Sequence, residues 1–394
     1  MVPRRPACCR ARRRCRPCRR RRSRTRRARG ASARWSCRSS RRRNRFRRAQ
    51  KGLSVPPGSG HLAEVIETRL DVLAIGDAVV DVIATAEDDF LAEEGLVKGS
   101  MQVLDAAGAT RLYARMNQAR ETSGGSAANT MAGVAALGGR AGFVGQVAKD
   151  QLGEIFAHDI RALGVEFATP PIDAGEPTGR CLILVTPDAQ RTMNTFRGAA
   201  HQLSADALDE AQIRGAAILY LEAYLWRSPG PRAAMEKAMA IAHDAGRKVA
   251  FTLSDIACIQ PHRAEIMAML QSGAIDMLFA NEAEIRSLAD TDDNEAAIAA
   301  IAATVPLLVV TCGEKGALAV ANGQRVSVPI ARIGRGVVDT TGAGDLFAAG
   351  FLVGQAQGKD LEASLRMGAI AAAEVISHFG ARPEADLREL VAAA

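Results

Sequence analysis

The chain reads as an α/β protein with a central, mostly parallel sheet covered by helices on both faces. Three observations predict this. Apolar runs of strand length alternate with helix-periodic segments from about residue 70 onward, the order of strand–helix–strand units. Glycine-rich turns open onto apolar helical runs, most clearly at Gly342-Ala343-Gly344. Residues 64–394 number 331, enough for one large domain with a small accessory layer.

The elements follow in order. Residues 71–76 are an opening buried strand, and 126–137 an apolar helix starting just after Gly124-Gly125. Residues 141–145 are strand-like, and 152–163 an amphipathic helix stopped by Gly164. Strands are then expected at 218–221, 249–253, 276–280 and 307–311, with helices near 231–245, 261–270, 281–289 and 294–303. The chain ends with helices after Gly344 and Leu361. Two segments, 82–121 and 178–200, break the rhythm and read as short extended pieces with turns. They predict a small β lid beside the main domain, placed to exclude water from the strand ends.

Composition divides the chain near residue 63. Residues 1–51 hold 23 Arg, Lys51 and no acid, and the first acid is Glu64. Beyond residue 51 there are 27 Lys and Arg against 43 Asp and Glu, so the net charge of +8 belongs to the first segment and the remainder is acidic. Residues 1–63 are therefore expected to be a disordered Arg-rich extension, and 64–394 the folded body. Such an extension could bind nucleic acid or an anionic surface, or serve as a targeting peptide. The reading favoured is GC-rich DNA upstream of a true start near Val55 or Val65. Cys15 and Cys18 have C-x-x-C spacing but no second pair follows, so the spacing is read as chance. Cys181, Cys258 and Cys312 suit buried thiols in a reducing cytoplasm. No run is apolar and long enough to span a membrane, and no apolar h-region follows the basic segment.

The chemistry concentrates at strand-to-helix turns. Gly342, Ala343 and Gly344 let an anion approach the free N–H groups of a helix N-terminus. Asp345 stands beside them, placed to take a proton from an attacking hydroxyl. An anion cradle and a base are the minimum apparatus of phosphoryl transfer; a plain strand-to-helix turn is the alternative. There is no Gly-x-x-x-x-Gly-Lys-[Ser/Thr], and Phe347 stands where a dinucleotide fingerprint needs its third glycine. Asn281 and Glu284 share a helix face after a strand, which suits a hydrated Mg²⁺ or an ordinary N-cap. Thr311, Gly313 and Gly316 follow another strand, as a close approach to a nucleotide or a simple β-turn. Asp77, Asp81, Gly125 and Asn129 put acids, glycine and an amide where a polyol could bind.

Taken in this order, the residues resemble the PfkB, or ribokinase, family of carbohydrate and nucleoside kinases over residues 70–390. The signatures are 339–345, 124–129, Asn281-x-x-Glu284 and Thr311-x-Gly313-x-x-Gly316. The resemblance implies a ribokinase-like fold, with Asp345 as catalytic base and Gly342, Ala343 and Gly344 as the anion hole. It implies Asn281 and Glu284 organising Mg²⁺ through water, and Thr311, Gly313 and Gly316 lining an ATP site. Asp77, Asp81, Gly125 and Asn129 would hold the sugar. Within the family the chain is most similar to adenosine kinases, whose lid implies Gln102 and Leu104 facing the base and Arg191 reaching the transferred phosphate. Asp77 departs from the Asn usual there. The implied reaction is ATP-dependent phosphorylation of the adenosine 5′-hydroxyl. A ribose, fructose or 2-keto-3-deoxygluconate kinase is the alternative, and a nucleic-acid-associated protein acting through the Arg-rich segment a third. A cytoplasmic monomer or homodimer is implied, with monovalent-cation dependence left open.

Overall fold

The computed structural model describes residues 68–394, save 189, 333 and 335. The expectations for residues 1–63 lie outside the described residues. In chain order the strands are β1 Leu70–Ile75, β2 Val79–Thr85, β3 Met101–Val103, β4 Arg120–Gly124, β5 Ala141–Val144, β6 Val165–Phe167 and β7 Gly179–Val185. They continue with β8 Arg191–Phe196, β9 Ala216–Glu222, β10 Lys248–Thr252, β11 Met277–Asn281, β12 Leu307–Thr311, β13 Ala317–Ala321 and β14 Gln324–Val328. A nine-stranded sheet has the order β14-β13-β12-β11-β10-β9-β1-β5-β6, and a five-stranded sheet the order β3-β8-β7-β2-β4. The large sheet is parallel from β12 to β6, with β13 and β14 added antiparallel at one edge. No helix among the described residues is long and apolar enough to cross a membrane.

Alternation along β1 explains why both faces are covered. Val72 and Ala74 enter one core with Met131, Phe351 and Leu365, from helices Ser126–Ala136, Ala343–Ala356 and Leu361–Val375. Leu73 and Ile75 enter the other, with Met235, Ile259, Ile285 and Ile298 from helices Pro229–Asp244, Ile256–Gln271, Glu282–Ala289 and Asn294–Ala302. A strand buried on both sides has no polar face to spare. Helix Ala343–Ala356 is buried continuously from Leu346 to Gly354, which fixes its N-terminus at the site.

Two elements differ from expectation. The 82–121 segment contains helices Asp88–Glu93 and Ala106–Arg115 besides its strands. The second buries only Gly108, Ala109 and Leu112, so small residues carry most of its contact. Its cap is Asp105, whose carboxylate accepts from the Gly108 N–H at 2.7 Å. The β13–β14 hairpin turns at Asn322 and Gly323, both with positive φ, the two-residue turn that Asn-Gly favours.

The small sheet is rooted in the large one through Gly76, Asp77 and Ala78, which link β1 to β2. Gly125 sits across from this link with φ 95°, and a Cβ on it would collide with the Asp77 carbonyl oxygen. Gly125→Ala is expected to cost about 2 kcal/mol or more, from the positive φ and that collision. Thermal unfolding checks it; a variant as stable as the parent would mean the link relaxes freely.

Candidate active site

Two helix N-termini meet at Asp345. Gly342 caps helix Ala343–Ala356 in the left-handed region at φ 79°. A Cβ there would lie 2.7 Å from that of Ala381. The Gly344 Cα faces open space. The Ala343 N–H donates to the Thr340 carbonyl at 3.2 Å, so the N–H groups left to an anion are those of Gly344 and Asp345. Asp345, in the first turn, accepts hydrogen bonds from Ser126 Oγ at 2.7 Å and Asn129 Nδ2 at 3.1 Å, both on helix Ser126–Ala136. Burial raises the Asp345 pKa above the usual carboxylate range, while those two hydrogen bonds and the Arg382 charge hold it down. Asn129, expected on the sugar, is therefore committed first to the acid.

Arg382 was not legible as a site residue. It donates to the Ala128 carbonyl at 3.0 Å and the Ser123 carbonyl at 2.6 Å, and lies near Asp81, Asp159 and Asp345. Asp81 on β2 is raised to about 6 by burial, opposed by Arg382 and Arg191 and reinforced by Asp345. Its carboxyl packs over Gly124, where no side chain would fit.

Asp339 organises the cradle. Its carboxylate accepts from the Thr341 N–H and Oγ1 at 3.0 and 2.7 Å and from the Gly380 N–H at 2.9 Å. Arg191, from β8 of the lid, pairs with the same carboxylate at 2.9 Å and donates to Thr341 Oγ1 at 3.0 Å. The structure thus brings Arg191 to the anion loop, but engaged by Asp339.

Gln102 and Leu104 are placed away from the site. Register aligns Asp81, Cys181, Thr195 and Val103 in one row across β2, β7, β8 and β3, and residues in register share a face. Gln102 lies in the adjacent row with Asn194 and Leu182, on the opposite face, and donates to Asn194 Oδ1 at 2.7 Å. Leu104 lies beside Gly108 of helix Ala106–Arg115. The expectation that these two face a base is corrected: Met101 and Val103, 49% and 59% exposed, are the residues of β3 on the Asp81 face. A one-residue offset in a strand reverses every side chain.

Deeper in the cleft, Glu222 ends β9 fully buried, accepting from the Asp77 N–H at 2.5 Å and the Ala127 N–H at 2.8 Å. Burial, then the Asp77 charge, raises its pKa well above the usual range, against the pull of those N–H groups. Asp77 is 7% exposed and raised to about 6 by burial, with Arg197 and Arg227 lowering it. Its Oδ1 is 3.8 Å from His201 Nε2, whose ring bonds Ser228 Oγ through Nδ1. None of Glu222, His201, Arg197 or Arg227 carries a local motif that marks it as a site residue.

Asn281 and Thr311 pair at the ends of β11 and β12. Asn281 and Glu284 form a reciprocal capping box: Asn281 Oδ1 accepts from two N–H groups, and both Glu284 oxygens accept from Asn281. Burial raises Glu284 to about 7. Among the described residues no group of three or more His, Cys, Asp or Glu could ligate a metal. With its oxygens used in the cap, Glu284 fits only a hydrated ion held through water. Gly313 and Gly316 both have positive φ; the Gly313 Cα faces open space, while Gly316 lies against the β14 backbone.

Known proteins share this architecture. The crystal structure of a probable sugar kinase from Rhizobium etli CFN 42 is 46% identical, with TM-score 0.78 over 83% of this chain and 98% of that one. That of adenosine kinase from Sinorhizobium meliloti is 45% identical, with TM-score 0.77 over 82% and 99%. The 5-dehydro-2-deoxygluconokinase of Shouchella clausii is 29% identical over 78% of this chain and 90% of its own length. A model for the pfkB family of carbohydrate kinases matches residues 69–387. The match spans both sheets and every turn described above, and the chain therefore belongs to the pfkB family, phosphotransferases acting on hydroxyl groups of sugars or nucleosides.

Proposed function

We propose that the protein transfers the γ-phosphoryl group of ATP to a primary hydroxyl, the ribose 5′-hydroxyl of adenosine, giving AMP and ADP. The observation that carries the transfer is Asp345, held by Ser126 and Asn129 beside the open N-terminus of helix Ala343–Ala356. Asp345 accepts the hydroxyl proton. The Gly344 and Asp345 N–H groups face the charge that develops on the phosphoryl oxygens. Asp81 orients the substrate hydroxyls from the lid. Asn281 and Glu284 would hold a hydrated Mg²⁺ through its waters, and that ion would supply neutralisation of phosphate charge. Thr311 and Gly313 border the nucleotide.

Adenosine is supported by the lid face. Met101 and Val103 are exposed and apolar on the Asp81 side, and a purine would bury them where a bare sugar could not. The likeness to the Sinorhizobium meliloti adenosine kinase supports the same reading. A sugar kinase is the second reading, favoured by the charged surroundings of Asp77 and by the Rhizobium etli relative.

Asp345→Asn is expected to lower kcat by about 10²–10⁴-fold, the worth of a positioned base, while calorimetry shows ATP binding retained. Near-parental kcat would remove Asp345 from the reaction. Because the base must be ionised, kcat/KM rises with pH, and the raised pKa sets the midpoint above the ordinary carboxylate value of 3.8. Ser126→Ala removes a hydrogen bond to the ionised form and moves that midpoint further up; overlaid pH profiles would contradict the contact.

Glu284→Ala should raise the Mg²⁺ concentration needed for half-maximal rate while costing about 1 kcal/mol of stability through the lost cap. A magnesium titration superimposable on the parent's would leave Glu284 as a cap alone. Adenosine should exceed ribose and fructose in kcat/KM by roughly 10²-fold or more, since the lid closes productively over a base. If either neutral sugar outperforms adenosine, the nucleoside reading fails and the family assignment stands.

A further inference from the structure

The segment 376–385, after helix Leu361–Val375, is pinned on both sides of Arg382. Glu374 Oε1, from that helix, accepts from the Glu384 and Ala385 N–H groups, both at 2.9 Å. The Ile376 carbonyl accepts from the Val338 N–H at 2.8 Å, and the Gly380 N–H donates to Asp339 at 2.9 Å. The segment so held presents Arg382 to the lid side of the site. Its guanidinium donates to the Ser123 carbonyl at 2.6 Å, to Ser123 Oγ at 3.0 Å and to the Ala128 carbonyl at 3.0 Å. Ser123 lies at the end of β4 and Ala128 in the first turn of helix Ser126–Ala136, so one side chain spans the Gly124–Gly125 turn.

That turn supports both acids of the transfer. A Cβ on Gly124 would lie 2.3 Å from Asp81 Cγ, so Asp81 rests on it. Ser126 and Asn129, on either side of Ala128, hold Asp345. A neutral donor could serve carbonyls and a hydroxyl equally well; a guanidinium adds a charge that these acceptors do not cancel. Arg382 makes no ion pair among the described residues. Its charge acts instead on Asp81 of β2, Asp159 of helix Gln151–Ala162 and Asp345. Tyr220 and Glu222 of β9 and Tyr224 of helix Ala223–Trp226 also interact with Asp345 and bring no positive charge. Arg191 acts on Asp81 but is paired with Asp339.

We propose that Arg382 is a positioning residue for the transfer: it clamps the Gly124–Gly125 turn and through that turn sets where Asp345 and Asp81 stand. Its charge also favours the ionised form of Asp345, the form that accepts the hydroxyl proton. This rests on Asp345 as the base and is independent of which acceptor is phosphorylated.

Arg382→Met removes charge and fork together, whereas Arg382→Lys keeps the charge. The pH profile of each is measured with the fastest acceptor among adenosine, ribose and fructose. In the parent, kcat/KM rises with pH as Asp345 ionises. Arg382→Met should move that midpoint up by about half a unit or more, since an opposite charge nearby lowers a carboxylate pKa. It should also cut kcat about tenfold or more through the loosened turn. Arg382→Lys should restore the midpoint but not kcat, because an ammonium lacks the planar fork that bridges both carbonyls. A folded Arg382→Met protein whose midpoint overlays the parent's overturns the proposal, as does Arg382→Lys with the midpoint of Arg382→Met. Where circular dichroism shows Arg382→Met unfolded, Arg382→Lys decides alone: reduced kcat at the parental midpoint supports the clamp, and parental kcat or a moved midpoint overturns it. Asp345→Asn reports separately on the base. Loss of rate there with an unmoved midpoint in Arg382→Met removes only the role of Arg382.

Discussion

The buried Glu222 carboxylate is the contact on which the site depends. Its two oxygens hold the Asp77 N–H at the root of the lid and the Ala127 N–H at the start of helix Ser126–Ala136. One side chain at the end of β9 therefore sets the main sheet, the lid and the helix carrying Ser126 and Asn129 in one frame. Asp345 is aimed by that helix, so the candidate base inherits its position from Glu222 at one remove. The absence of a side chain at Gly76 makes room: a Cβ there would lie 2.5 Å from the Ala127 Cβ and 2.9 Å from the Glu222 Cδ. Removing the carboxylate would leave two buried N–H groups unpaired, a cost of about 1–3 kcal/mol each.

Around this frame the acids outnumber their partners. Asp77, Asp81, Glu222 and Asp345 are all raised by burial, and only Asp339 has a close arginine pair, with Arg191. Such crowding is unfavourable for stability and suits proton transfer, which needs a base poised nearer neutrality than a free carboxylate. Arg382 moderates it from behind, fixed by two carbonyls rather than by an acid, so its charge stays available to Asp81 and Asp345.

The parts legible in the sequence were those with local grammar. Strand–helix alternation, the Gly342–Gly344 turn and Asp345, and Asn281 with Glu284 all announce themselves within a few residues. The parts that were not legible depend on long-range placement. Arg382 serves carbonyls more than 250 positions earlier in the chain. Arg197, Arg227 and His201 meet Asp77 only because β1, β8 and β9 end close together. Gln102 failed for a subtler reason. The strand was rightly expected, but its face is set by register with Asn194, which no local pattern encodes. Helix Ala106–Arg115 was missed because it lies inside a segment read as extended, between short strands whose pairing is set elsewhere in the chain.

The Arg191–Asp339 pair carries a mechanical consequence. Arg191 belongs to the small sheet, whereas Asp339 fixes Thr341 and the segment at Gly380, so the ion pair joins the small sheet to the loop before helix Ala343–Ala356. Under the proposed transfer, an arginine held this way would need no recruitment to the anion loop, only the sharing of its remaining N–H groups with a phosphoryl oxygen. Its Nε is buried without a partner, which leaves a donor beside the cradle. Under the proposed transfer, a phosphoryl oxygen is the acceptor that would relieve this unpaired N–H. On that proposal one side chain would tie the lid sheet to the anion loop and serve the anion as well.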